Sequence, residues 1–178
     1  NQTTHYYWVV LPATGANGSG AATTPNLGHP QSFDRPKIGP DLIAPADHLP
    51  FADASFDAVA CRIAPHHFPD ALAAVKEMAR VARDRVVICD NTFTSESAEE
   101  ADRLRDPSHV RNYGVPEWHT FFELAGLEVA DEAALVRDTD FEDWLDRTET
   151  PEADRARIRE LLDSRIRDGR LELPTVVL

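Results

Sequence analysis

The stretch ADHLPFADASFDAVACRI, residues 46–63, joins a tight turn to an apolar strand. The small polar residues at 52–55 are typical of a turn, because Asp and Ser side chains hydrogen-bond to their own backbone. The mostly apolar run at 56–63 predicts a strand that is covered on both faces. Two polar residues, His66 and His67, follow after Ala64 and Pro65, and they mark the carboxyl end of the strand, where open α/β sheets bind their ligands.

The composition is that of a chain that folds around a hydrophobic core. Its 178 residues are 42% hydrophobic, which suits one globular domain and not a disordered segment. The net charge of −13 argues against nucleic acid or an anionic membrane as a partner, because a negative surface repels phosphate groups. No apolar run approaches the roughly 20 residues of a membrane span. Cys61 and Cys89 fall in predicted buried strands, so we expect reduced thiols and a cytoplasmic protein.

Helices and strands alternate after the opening stretch, as expected of an α/β fold. Residues 70–83 predict a helix that Asp70 caps and whose apolar residues form one stripe. Residues 85–90 predict a second buried strand, which ends at the same sheet edge as the first if the two are parallel. Further helices are predicted over 95–105, 115–126 and from 141, and strands over 127–130, 134–136 and 171–178.

Residues 46–57 resemble a segment of class I S-adenosylmethionine-dependent methyltransferases, A-D-x-L-P-F-x-D-x-S-F-D, with every specified position filled in order. The likeness is to the small-molecule branch around ubiquinone and menaquinone biosynthesis. Residues 105–111 resemble that family's R-D-P-S-H-x-R insert, which lies over the substrate side of the pocket. The resemblance implies a Rossmann-like three-layer sandwich with a mostly parallel sheet. It also implies S-adenosylmethionine-dependent methyl transfer to a small-molecule acceptor.

The first 45 residues match the family less closely. Residues 6–11 predict a strand, and the glycine-rich turn after it resembles the family's first cofactor motif through Thr14, Gly15 and Gly18. This turn is either a degraded cofactor loop or a flexible linker or leader. Only 26 residues, 21–46, lie between Gly20 and Asp47. Two βα units would need about 50 residues.

We therefore expect the fold to be truncated at its N-terminal βα units. Either the chain has lost a βαβ segment or part of the native sequence is absent. The expected division is a divergent or linker-like segment with one strand, residues 1–45, and a methyltransferase-like α/β domain, residues 46–178. A shortened sheet exposes a strand edge, so a homodimer is expected as well.

The resemblance implies cofactor contacts for Asp47, His48 and Arg62, on the adenine and methionine side of S-adenosylmethionine. The alternative is a methyltransferase-like domain without cofactor binding. Such a domain would act as a scaffold or partner subunit, or in a cofactor-independent reaction.

Three histidines are the candidate catalytic residues. His66 and His67 leave the predicted strand where a substrate would approach, and His109 lies in the substrate-side insert. An imidazole with a near-neutral pKa suits proton removal from a methyl acceptor. Structural or surface hydrogen bonding is the other interpretation of these residues. No HxH, HExxH or CxxC spacing is present, so no metal site is expected.

Overall fold

The structure, a computed structural model, describes the backbone of Trp8–Leu11 and all of residues 44–178. The glycine-rich turn with Thr14, Gly15 and Gly18, and the expected truncation of the βα units, fall on residues outside the described part. The described elements are β1 (Trp8–Leu11), β2 (Phe56–Arg62), α1 (Ala71–Val81), β3 (Ala82–Asn91), α2 (Glu96–Arg105), α3 (Val115–Leu124), β4 (Ala133–Asp140), α4 (Phe141–Asp146), α5 (Glu152–Leu162), β5 (Ile166–Arg167) and β6 (Arg170–Val177).

One mixed sheet contains the described strands in the order β1-β2-β3-β6-β4, with β5 paired to β6. The β2–β3 pair is parallel because α1 forms the crossover between the two strands. The other described pairs are antiparallel. The α/β class is confirmed, but this part of the sheet differs from the mostly parallel one that was expected. β6 pairs with β5 through a tight hairpin turn at Asp168 and Gly169, whose φ angles are 49° and 76°, and it also runs antiparallel to β3 and β4.

Helices cover both faces of β6. Because successive strand residues point to opposite faces, β6 sends Leu171 and Leu173 into one hydrophobic cluster and Val176 into another. The cluster with Val176 contains residues of α1 and α3, among them the fully buried Met78 and Trp118. The other cluster joins α2, α4 and α5 to the opposite face. This is the three-layer arrangement that the family resemblance implies.

Local sequence signals correctly place the helix ends. The Asp70 carboxylate accepts a hydrogen bond from the Ala73 amide (2.8 Å) at the start of α1, and Ser95 accepts one from the Ala98 amide (3.2 Å) at the start of α2. Gly126 follows α3 with a φ of 75°, a left-handed conformation that glycine adopts easily.

The strand predictions after α3 are wrong in two places. Residues 127–130 form no strand, and Leu127 and Val129 instead pack against the cluster under α3. β4 continues through Arg137, where the predicted strand stopped, because the Arg137 guanidinium donates to Thr175 Oγ1 (3.0 Å) and to Asn91 Oδ1. A polar residue thus lies inside a strand because its hydrogen-bond partners come from two other strands of the sheet, β6 and β3.

β4 forms the edge of the sheet among the described strands. It exposes Leu135 and Val136, with 49% and 64% of their surface accessible. The expected homodimer stays a prediction. Within Trp8–Leu11 and residues 44–178, no helix combines the length and apolar character needed to cross a membrane.

Candidate functional site

The loop predicted to contact the cofactor presents two polar side chains to solvent. Asp47 and His48 are exposed, whereas Ala46 and Leu49 on either side are buried in the core under α1 and α3. Ala46 and Leu49 anchor the loop in the core, and the side chains of Asp47 and His48 are not needed for this packing. Both remain accessible to a ligand.

Two residues of α1 fix the chain that follows this loop. The Arg80 guanidinium donates to the Leu49 carbonyl (3.0 Å), the Phe51 carbonyl (2.8 Å) and the Asp53 carboxylate (2.8 Å). Glu77 accepts a hydrogen bond from the Leu49 amide (2.9 Å) and pairs with Arg80 (2.8 Å). Much of the family segment therefore serves to shape the loop.

Replacing Glu77 with glutamine tests this anchor. The hydrogen bond from Arg80, supported by the Leu49 amide and opposed by burial, lowers the pKa of Glu77 from 4.5 to about 2. Because the folded-state pKa is depressed, the stabilisation is complete above pH 4.5 and is lost as the pH falls toward 2. We expect E77Q to lose on the order of 1–2 kcal/mol at pH 7, after allowance for solvent screening. Urea unfolding should show the gap between E77Q and wild type closing between pH 4.5 and 2; a pH-independent gap would contradict this.

The three candidate histidines lie together at the carboxyl end of β2. His66 and His67 occupy a short 3-10 turn, Pro65–His67, and their ring centroids are 4.2 Å apart. The ring of His109 lies 5.6 Å from His66 and 6.4 Å from His67. The His66 carbonyl accepts hydrogen bonds from the Val110 and Arg111 amides (2.9 and 3.1 Å), which ties the turn to the loop of residues 106–113.

Asp90, near the end of β3, holds His66 in place. Its Oδ1 lies 2.6 Å from His66 Nδ1, and its Oδ2 accepts the His66 backbone amide at 2.8 Å. Both side chains are buried. Burial alone would lower the pKa of His66, but the charge and hydrogen bond of Asp90 outweigh it, so the pKa is raised. Asp90 therefore orients the ring and favours its protonated form.

His67 has the opposite electrostatic environment and is half-buried. Its Nδ1 lies 3.0 Å from Ser108 Oγ, and Ser108 Oγ donates to Asp106 Oδ1 (2.6 Å). Burial and the charge of His66 lower the pKa of His67, against smaller opposing effects of Ser108 and Asp106. Neighbouring groups whose pKa values are pushed apart are typical of an acid–base pair.

His109 is turned toward α2. Its Nε2 lies 3.1 Å from Glu99 Oε2, and both residues are buried. Asn112 donates from Nδ2 to Glu99 Oε1 (2.8 Å) and to Asp102 Oδ2 (2.8 Å). Burial raises the pKa of Asp102, whereas the hydrogen bonds from His109 and Asn112 outweigh burial at Glu99 and lower its pKa. This network joins α2 to the 106–113 loop.

The two arginines of the family insert, Arg105 and Arg111, make contacts that stabilise the fold. The Arg105 guanidinium lies 4.3 Å over the Trp144 ring and donates to the Trp144 carbonyl (2.9 Å). Arg111 pairs with Glu117 (2.8 Å) and lies 4.7 Å from the Tyr113 ring. Arg62, predicted to contact the cofactor, is exposed at the end of β2. The structure does not bring Arg105 into the histidine group.

Known proteins match both the sequence and the fold. The sequence model of a family described as "Methyltransferase domain" matches residues 29–89. The uncharacterized methyltransferase YcgJ of Bacillus subtilis is 38% identical over 117 residues, which are 62% of this chain and 46% of YcgJ. The crystal structure of YcgJ has a TM-score of 0.67 and 30% identity, covering 74% of this chain and 66% of that one.

The chain is similar in sequence and in fold to proteins described as methyltransferases. The uncharacterized protein YafE of Escherichia coli K12 is 36% identical over 115 residues, 61% of this chain and 56% of YafE. The Rossmann-like fold implied by the sequence is confirmed by the structural match. This methyltransferase relative spans about half the length of the curated proteins it matches.

Sequence reasoning missed most of the residues that orient the histidines of this methyltransferase relative. Ser108, Glu99 and Asp102 carried no assigned role. For Asp90 the signal was present, because it ends a predicted strand at the same sheet edge as His66. Nothing in the sequence reveals which carboxylate meets which histidine.

Proposed function

We propose that the chain transfers a methyl group from S-adenosylmethionine to a small-molecule acceptor. The observation that carries this proposal is the His66–His67 pair at the carboxyl end of the parallel β2–β3 pair, in a relative of methyltransferases. Ligands of open α/β sheets bind at this edge. The two imidazoles favour opposite protonation states there, which suits proton removal from an acceptor.

The described residues fit S-adenosylmethionine on one side. The exposed Asp47 carboxylate can accept a hydrogen bond from the adenine amino group, and His48 lies beside it. The exposed Arg62 guanidinium suits the carboxylate of the methionine part. In this proposal Thr14, Gly15 and Gly18 form the rest of the contact. The bound compound supplies a methyl group on a positively charged sulfur, so the protein needs chiefly to align the acceptor and accept a proton.

His67 is the proposed proton acceptor. It is half-buried, whereas His66 and His109 are buried, so it is the member of the group with the most access to a substrate. Ser108 and Asp106 position its ring from one side. The buried His66–Asp90 pair holds the turn that carries it. His109 and Glu99 secure the loop that carries Ser108.

Isothermal titration calorimetry with S-adenosylmethionine and S-adenosylhomocysteine tests the cofactor half of the proposal. We expect one binding site per chain and, because the charged acceptor is replaced by a neutral amide oxygen that accepts a weaker hydrogen bond, an affinity that falls by about 5-fold or more in D47N. D131N, which changes an exposed loop carboxylate outside the family segment, is the matched control and should bind as wild type does.

Two results would count against the proposal. If neither compound binds at millimolar concentration, the chain does not use this cofactor, and a scaffold role or a cofactor-independent reaction becomes the better interpretation. If D47N and D131N bind equally well, the cofactor does not contact the Asp47 loop.

A further inference from the structure

The buried network between α2 and the 106–113 loop contains a set of metal-ligating groups. One ligand atom each from Glu99, Asp102 and His109 can be chosen so that all three lie within 4.8 Å of one another. Glu99 is 2% exposed and His109 is 9% exposed. Two carboxylates and one imidazole form a mixed oxygen and nitrogen donor set of the kind that divalent first-row metal ions bind. No metal-binding sequence motif contains these three residues, because two of them lie on α2 and the third lies in a separate loop.

A fourth group in the network has an unsatisfied atom. Asn112 is 3% exposed, and its Oδ1 has no hydrogen-bond partner. Its Nδ2 lies 2.8 Å from both Glu99 Oε1 and Asp102 Oδ2. The oxygen and nitrogen of an amide exchange places by a half-turn of the group. After that turn Oδ1 would lie between two carboxylates, an arrangement that is repulsive when empty and favourable around a cation.

We propose that Glu99, Asp102, His109 and the turned amide of Asn112 bind one divalent transition-metal ion, Zn²⁺ or Mn²⁺. Metal–ligand bonds of about 2.0–2.2 Å place the donor atoms of a tetrahedral site roughly 3.4 Å apart, so the cluster must contract by about 1 Å. The ion would join α2 to the loop that carries Ser108. The proposal does not depend on methyl transfer.

Two further features lie beside these four residues. Arg103 Nη2 lies 3.7 Å from Glu99 Oε2 and balances part of the negative charge. A cavity of about 10 Å³, lined among others by Asp102, Asn112 and Arg165, lies next to the cluster. It has room for about one water molecule, which could satisfy Asn112 without a metal ion. The experiment must therefore separate a metal site from a hydrated polar network.

Titration of the chelator-treated chain with ZnCl₂ and MnCl₂, followed by calorimetry and by metal analysis after dialysis, tests the proposal. We expect one equivalent of ion per chain, a higher melting temperature with the ion, and little response to MgCl₂. D102N, which keeps the shape of the side chain, should weaken binding by at least about 10-fold, because a charged ligand is lost. H119A is the matched control, since it removes the exposed His119–Glu132 pair (2.6 Å) that could capture metal adventitiously.

N112D provides an outcome that a purely structural network would not produce. It replaces the bridging donor with a third carboxylate, so the metal-free protein should melt at a lower temperature while its affinity for Zn²⁺ increases. Absence of saturable binding, binding equal to wild type in D102N, or binding abolished by H119A would each overturn the proposal. An N112D variant that folds and binds Zn²⁺ more weakly than wild type would overturn the part assigned to Asn112.

Discussion

Replacing Asp90 with alanine is expected to destabilise the chain by about 3–5 kcal/mol, because it breaks a buried pair by removing one partner. Asp90 is fully buried and serves two donors, the His66 ring through Oδ1 (2.6 Å) and the His66 backbone amide through Oδ2 (2.8 Å). Alanine leaves both groups buried without an acceptor, and each unpaired donor carries a desolvation penalty. Urea unfolding followed by circular dichroism measures the change.

The control for this substitution is D90N. The amide keeps the volume and one acceptor oxygen, so it can serve one of the two donors, and a loss smaller than that of D90A is expected. T139A alters a half-buried threonine on β4 and should change stability much less. A D90A variant that loses under about 1 kcal/mol would show that the His66 turn does not depend on this carboxylate.

Replacing His67 with alanine is expected to slow methyl transfer by about 100-fold or more, the usual contribution of general acid–base catalysis. The reason is its position: it is half-buried, it neighbours His66 at 4.2 Å between ring centroids, and Ser108 Oγ lies 3.0 Å from its Nδ1. Transfer of a labelled methyl group from S-adenosylmethionine to a panel of phenols, thiols and amines identifies an acceptor. The rate constant kcat with that acceptor is then compared between variants.

Separate readouts distinguish a proton acceptor from a structural residue. In H67A the affinity for S-adenosylmethionine and the melting temperature should stay close to wild type, because the change affects the reaction and not the cofactor side. S108A should reduce kcat less than H67A does, since Ser108 acts by positioning the ring. H119A, at an exposed position in the middle of α3, should leave kcat unchanged. An H67A variant with at least a third of the wild-type kcat would show that His67 does not accept the proton.

The helix boundaries and the family could be predicted because their signals are local. Asp70 and Ser95 cap helices through amides three residues ahead, and the family segment is a continuous run. The outcome for β4 shows the limit of such reasoning. Arg137 interrupts the apolar pattern, yet the strand continues because Thr175, 38 positions away, accepts a hydrogen bond from its guanidinium. The residues on either side of Arg137 in the sequence contain no information about a partner so far along the chain.

By itself the sequence determined the α/β class, the two capped helices and the position of His66 and His67 at a strand exit, since caps and periodicities act over a few residues. Only the tertiary structure decided how these histidines are paired. Asp90 reaches His66 from 24 positions away, and Ser108 reaches His67 from 41. Contacts of that range depend on how the parallel strands and the loop after α2 come together. The protonation preferences of His66 and His67 therefore arise from folding.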